Sequence, residues 1–183
     1  TPVECVDFII RSVDDVLKAE FGTALTNEGV HILDPFTGTG TFVTRLLQTG
    51  VIAPQDMVRK YTREIHCNEI VLLAYYIADV NIESVFQEQC PQPEYLPYNG
   101  ICLTDTFQLG EQSDGDIFKD FFKENSEAVE EQRRTPVRVI IGNPPYSIGQ
   151  KSANDNAQNQ RYPKLEKRLA DTYVASSNAA LSK

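Results

Sequence analysis

The chain has 183 residues and a mass of 20.6 kDa, with 41% hydrophobic and 23% charged residues. That is enough for one globular core and hardly for two. A net charge of −9 and a pI near 4.7 argue against a module that grips phosphate backbones through its overall charge, so any nucleic-acid contact is expected to be local or to come from elsewhere.

No apolar run approaches the roughly 20 residues that span a bilayer, and the first residues lack the basic-then-apolar layout of a signal peptide. The four cysteines, Cys5, Cys67, Cys90 and Cys102, show no CxxC spacing and read as reduced thiols in a cytoplasmic protein rather than a metal site. A start at Thr1 and a polar end at Lys183 are the expected marks of a piece of a larger polypeptide.

Val3, Val6, Ile10, Val13 and Leu17 form an i, i+3, i+4, i+7 stripe behind Pro2, which predicts an amphipathic helix over residues 3–20. A strand is predicted at 30–33. The glycine turn 38–40 then leads into a helix over 41–48, closed by Gly50. Residues 51–63 form a connection without a clear period. A second strand at 65–68 precedes a helix at 70–81 that is apolar on nearly every face, and 87–99, with three prolines, reads as a long loop.

A third strand is predicted at 101–103, and a charged amphipathic helix at 116–132 anchored by Ile117, Phe118, Phe121 and Phe122. Residues 137–141, apolar but for Arg138, predict a fourth strand, covered on both faces. Residues 147–160 are almost wholly polar and predict a mobile loop, and 162–182 predicts a weak helix. Strands alternating with helices imply a parallel, doubly wound α/β sheet.

Two turns carry chemistry. Asp34-Pro35-Phe36-Thr37-Gly38-Thr39-Gly40-Thr41 follows the first strand, where a glycine turn lets the backbone approach a ligand and a helix N-terminus offers unpaired N–H groups. Val43 stands where a dinucleotide fingerprint needs its third glycine, and no Lys follows the glycines as a P-loop requires. A carboxylate at the strand tip suits instead a cationic amino-acid head group such as that of S-adenosylmethionine.

Asn143-Pro144-Pro145-Tyr146 follows the fourth strand. The exocyclic amine of a nucleobase is a poor nucleophile because its lone pair is delocalised into the ring. An Asn side-chain oxygen and the Pro144 carbonyl can accept both amine hydrogens and localise that pair. Pro145 stiffens the turn, and Tyr146 can stack on a base removed from the duplex. His31 and His66 lie in predicted strands and read as packing residues, not ligands.

These motifs resemble those of the gamma-type, amino-group N6-adenine DNA methyltransferases. The resemblance extends to Thr1-Pro2-Val3-Glu4, which is similar to the extra N-terminal motif of that class. It implies that Glu69 holds the ribose hydroxyls of S-adenosylmethionine, that Asp105 meets the adenine amine, and that Ile70 and Phe107 flank the adenine ring. It also implies a partial Rossmann-like class I methyltransferase fold, truncated before its last strands. Residues 1–146 would form the cofactor-binding core, and residues 147–183 a polar loop and helical segment continuing into absent parts.

Segments such as Val6-Asp7-Phe8-Ile9-Ile10 and Asn68-Glu69-Ile70-Val71-Leu72 are similar to the methyltransferase region of type ISP single-chain restriction-modification enzymes. The partners so implied are DNA with a flipped adenine, and nuclease, helicase-like ATPase and target-recognition domains of the same polypeptide. Two other readings stay open: an enzyme acting on RNA bases or protein glutamine, and a non-catalytic cofactor-binding scaffold.

Overall fold

Four parallel strands, β1 (His31–Asp34), β2 (Ile65–Glu69), β3 (Ile101–Leu103) and β4 (Val137–Ile140), make one sheet in the order β3-β2-β1-β4. A computed structural model describes residues 1–110, 123–145 and 162–177. The chain builds outward from β1 through β2 to β3, then crosses back to lay β4 on the other side of β1. The strand order reverses between β1 and β4, and in open α/β sheets ligands bind outside the carboxyl ends of the strands at such a point.

Helix α1 (Val3–Phe21) begins at Pro2, which lacks the N–H a first turn cannot use, and buries Val6, Ile10 and Leu17. It ends at Gly22, in the left-handed conformation typical of a helix stop. Arg45 of α2 (Thr41–Gln48) clamps α1 by a two-pronged bond to Asp7, with Nε–Oδ1 of 2.8 Å and Nη2–Oδ2 of 2.6 Å. Charge-assisted bonding to Arg45 holds the Asp7 carboxyl below its ordinary pKa.

Residues 51–63, without a clear period in the sequence, are largely helical. A 3-10 turn (Pro54–Asp56), a short α turn (Met57–Arg59) and a π turn (Lys60–Glu64) run on without a break, and together they form α3. Lys60 is fully buried there, its Nζ bonding to the carbonyls of Asn27 (2.7 Å) and Val30 (2.8 Å) and pairing with Glu64 at 2.9 Å. Apolar periodicity conceals this helix because its key inward residue is a cation. The segment ties the entry of β1 to the start of β2.

Helix α4 (Leu72–Gln89) starts two residues later than the predicted 70 and runs well past 81. At its start, the Glu69 carboxylate accepts the Val71 N–H at 2.7 Å and keeps that turn out of the helix. At its end, Ala78, Ile82 and Phe86 continue a buried stripe. The predicted loop at 87–99 therefore begins only after Gln89. Tyr61 stacks on Phe86 at 3.7 Å between ring centroids, and Tyr98 donates to the Ile65 carbonyl at 3.0 Å, which pins the proline-rich loop to the sheet.

The expectation that the fourth strand is covered on both faces fails. Arg138 and Ile140 are exposed, Ile140 to 68%, and beside them Phe8 and Val16 of α1 are exposed to 71% and 52%. Among the described residues β4 pairs with β1 alone, so it is the sheet's edge. Helix α5 (Lys123–Arg134) matches the later part of the predicted 116–132, but Ile117, Phe118, Phe121 and Phe122 lie outside the described residues, as does the polar run 147–160. The last segment forms α6 (Pro163–Leu169) and a π turn (Ala170–Val174).

His31 and His66 are neighbours on β1 and β2, stacked at 5.3 Å with Nδ1 and Nε2 3.0 Å apart. Burial, and the charge His31 would carry, push His66 down to about 4. Cys67 and Cys102 are buried free thiols, Cys90 is half-buried and Cys5 exposed. No described helix is long and apolar enough to cross a membrane.

Candidate active site

Because all four strands run in parallel, their carboxyl ends share one edge of the sheet, and Asp34, Glu69, Asp105 and Asn143 follow those ends in turn. Asp34 closes β1, 1% exposed. Its Oδ1 accepts the Phe36 N–H at 3.1 Å, whereas its buried Oδ2 has no hydrogen-bond partner. Burial first, and then the charge of Glu69, raise the Asp34 carboxyl to about 7 against the pull of the Phe36 amide.

The glycine turn wraps around the next strand end. Thr37 donates its N–H to the Asn68 carbonyl at 3.0 Å, and Gly38 N–H donates to Glu69 Oε2 at 2.7 Å. Gly40 takes a positive φ of 87° to start α2, and a β-carbon there would press within 3.3 Å of Ile82 and 3.4 Å of the Ala78 backbone. Thr41 opens the helix behind it. Glu69 thus bridges two loops, from Gly38 to Val71, while Ile70 beside it is 61% exposed.

Asp105 lies two residues beyond β3, its Oδ1 accepting the Phe107 N–H at 2.9 Å. The ring of Phe107 meets that of Phe36 at 5.1 Å, so Pro35-Phe36 and Asp105-Phe107 share a wall. Thr106 strengthens it, donating to the Pro35 carbonyl at 2.7 Å and accepting from Asn68 Nδ2 at 3.1 Å.

The second motif turns off β4 beside the first. Ile141 N–H donates to the Leu33 carbonyl at 3.0 Å, and Gly142 backs directly onto Asp34. Asn143 Nδ2 donates to Thr1 Oγ1 at 3.0 Å, which joins the chain's first residue to the motif. Pro2 starts α1 next to it, and Pro144 and Pro145 are exposed. Tyr146 lies outside the described residues.

The described motif residues therefore lie at the strand ends and the loops that follow them along one edge of the sheet, at the start of α2, or at the chain start joined to that edge. Three residues there escaped sequence reasoning. Thr106 and Gly142 adjoin motif residues, and their roles emerge only from packing. Tyr162 is separated from Asp105 by more than fifty positions and by a polar run, and no periodic signal marks it; its hydroxyl donates to Asp105 Oδ2 at 2.7 Å. Among the described residues no His, Cys, Asp and Glu cluster has the arrangement of a metal site.

Three solved structures are similar to the chain over nearly its whole length. A nuclease-deletion mutant of the type ISP restriction-modification enzyme LlaGI, in complex with a DNA substrate mimic, is 50% identical over 99% of the chain, with a TM-score of 0.87. The ATP-dependent type ISP restriction-modification enzyme LlaBIII bound to DNA is 47% identical over 99%, with a TM-score of 0.86. A DrdV–DNA complex is 41% identical over 100%, with a TM-score of 0.85. The chain spans only 15%, 12% and 17% of those three chains. No family model and no curated protein matches the sequence.

Proposed function

We propose that this chain is the cofactor-binding and amine-activating region of a type ISP restriction-modification enzyme, methylating the N6 amine of adenine in DNA. The observation that carries the reading is the contact of the two motif loops, Asp34 against Gly142, at the point where strand order reverses. Ligands of open α/β sheets sit at such a point. The whole-length similarity to two type ISP enzymes supports the restriction-modification setting.

The residues fit S-adenosylmethionine. The buried Asp34 has an acceptor atom, Oδ2, without a hydrogen-bond partner, next to the glycine turn. Three carboxylates, Asp34, Glu69 and Asp105, suit a ligand of net positive charge. Glu69 would take the ribose hydroxyls, since each of its oxygens accepts one N–H and keeps a further lone pair. Asp105 would take the adenine amine, with Phe107 and Ile70 beside the ring. When bound, the cofactor supplies an electrophilic methyl group on a sulfonium.

Asn143 and the Pro144 carbonyl accept the two hydrogens of the target amine and hold its lone pair out of conjugation. Thr1 orients the Asn143 amide by accepting from Nδ2 at 3.0 Å. Pro145 fixes the turn, and Tyr146 is assigned to stack on the extruded base.

Titrating S-adenosylmethionine into the full-length protein, then comparing radiolabelled methyl incorporation into duplex DNA, RNA and protein, tests the reading. Cofactor binding with incorporation into adenine of DNA is the expected outcome. Incorporation into RNA or protein would move the acceptor, and no cofactor binding would sink the assignment.

A further inference from the structure

Tyr162 has no part in the reading above, yet it touches Asp105 and Phe107 of the proposed cofactor site. Its hydroxyl donates to Asp105 Oδ2 at 2.7 Å, and its ring lies 5.4 Å from that of Phe107, tilted by 48°. Asp105 is thus already engaged on both oxygens, by the Phe107 amide on one and by Tyr162 on the other. The contact is long-range, and the backbone carbonyl of Tyr162 also receives the Glu166 N–H at 2.8 Å as α6 begins.

We propose that Tyr162 holds the place of the cofactor's amine on Asp105, so that binding of an adenine displaces the phenol and Tyr162 sets the affinity for amine-bearing ligands. The inference rests on the cofactor reading above. Both groups are neutral donors, and each needs the same acceptor beside the same aromatic wall. Asp105 Oδ1 is held by the Phe107 amide and Oδ2 by Tyr162, so an incoming amine contends with the phenol for the one oxygen not bonded to backbone. Burial and the bond to Asp105 raise the phenol to about 12, so at neutral pH it is a proton donor throughout.

Tyr162→Phe keeps the ring and removes only the competing hydroxyl, which makes it a clean probe. In the full-length protein it should bind S-adenosylhomocysteine about three- to tenfold more tightly than wild type does, the size of one partly exposed hydrogen bond. The counterpart lacking the 6-amino group does not contend for Asp105, and its affinity should stay the same. A purely structural role for Tyr162 would move both ligands together. In wild type, saturation with S-adenosylhomocysteine should speed amide hydrogen exchange across residues 163–169 as their anchor is released.

Unchanged or weaker binding of S-adenosylhomocysteine by Tyr162→Phe would overturn the proposal, as would an equal gain for both ligands or unchanged exchange in wild type. If wild type binds the cofactor and the variant does not differ, only the role of Tyr162 falls. If wild type binds neither ligand, the cofactor reading falls with it.

Discussion

The Asp34 carboxylate fills the space in which a side chain at position 142 would begin. A β-carbon on Gly142 would lie 2.6 Å from Asp34 Oδ1 and 3.2 Å from Pro35 Cδ. Asp34 cannot simply swing aside, because it is buried and its Oδ1 is bonded to the Phe36 amide. Gly142→Ala should therefore push the two motif loops apart. We expect a loss of about 1–3 kcal/mol, the usual cost of overpacking, together with weaker cofactor binding. Thermal unfolding and ligand titration check both, and a variant matching wild type in each would show that the loops do not depend on this contact.

Asp34 itself links stability to pH. Its carboxyl is raised from 3.8 to about 7, mainly by burial. Between those values the native state keeps a proton that the unfolded chain has released, so the stability Asp34 contributes is present at low pH and is lost as pH rises through about 7. Asp34→Asn should remove that loss, stabilising the free protein at pH 8 more than at pH 5 while weakening cofactor binding. Denaturant melts at the two pH values read the first effect.

The same carboxyl should make ligand affinity depend on pH. A cationic head group favours ionised Asp34, so binding releases a proton below pH 7, and affinity climbs by at most about tenfold per unit until it levels off. Calorimetry in buffers of different ionisation enthalpy would count that proton. Flat affinity from pH 5 to 8 would place the cation elsewhere.

His66 carries the opposite dependence. Its folded value falls from 6.5 to about 4. The unfolded chain binds the extra proton in that window, so stability is complete above about 6.5 and declines as pH falls toward 4. The effect is bounded by roughly 3 kcal/mol. Because Asp34 changes in the other sense over part of this range, the measurement is the difference between wild type and His66→Asn at each pH. A difference that does not vary from pH 7 to 4 would contradict the burial argument.

Much of this architecture can be read directly from the residues, because the strongest signals are local. The stripe Val6, Ile10, Leu17 and the turn Gly38–Gly40 each specify one element, and the elements appear within a residue or two of expectation. What failed depends on contacts distant in sequence. Burial of Lys60 against Asn27 and Val30 hid a helix, and Phe86 stacking on Tyr61 extended α4 beyond its apparent end. At the site, Asp34, Glu69, Asp105 and Asn143 were legible as residues at strand ends. That Asp34 abuts Gly142 and that Tyr162 occupies Asp105 were not, since neither leaves a pattern within one segment.

Asn143→Ala in the full-length protein should abolish methylation, because the amine loses its side-chain acceptor, and should leave cofactor affinity within about twofold of wild type, since no cofactor contact is assigned to Asn143. Incorporation of labelled methyl and equilibrium titration separate the two effects. Undiminished methylation would mean that the site lies elsewhere or that the chain serves as a scaffold.

The uncovered face formed by Phe8, Val16 and Ile140 bears on how these 183 residues behave at the bench. Among the described residues β4 has no partner on its outer side, next to these oily side chains, and such surfaces seek one another in solution. Self-association rising with protein concentration is the outcome to expect in sedimentation, and Ile140→Lys should suppress it. Ligand titrations on that preparation would then report on aggregates as well as on single molecules unless run dilute.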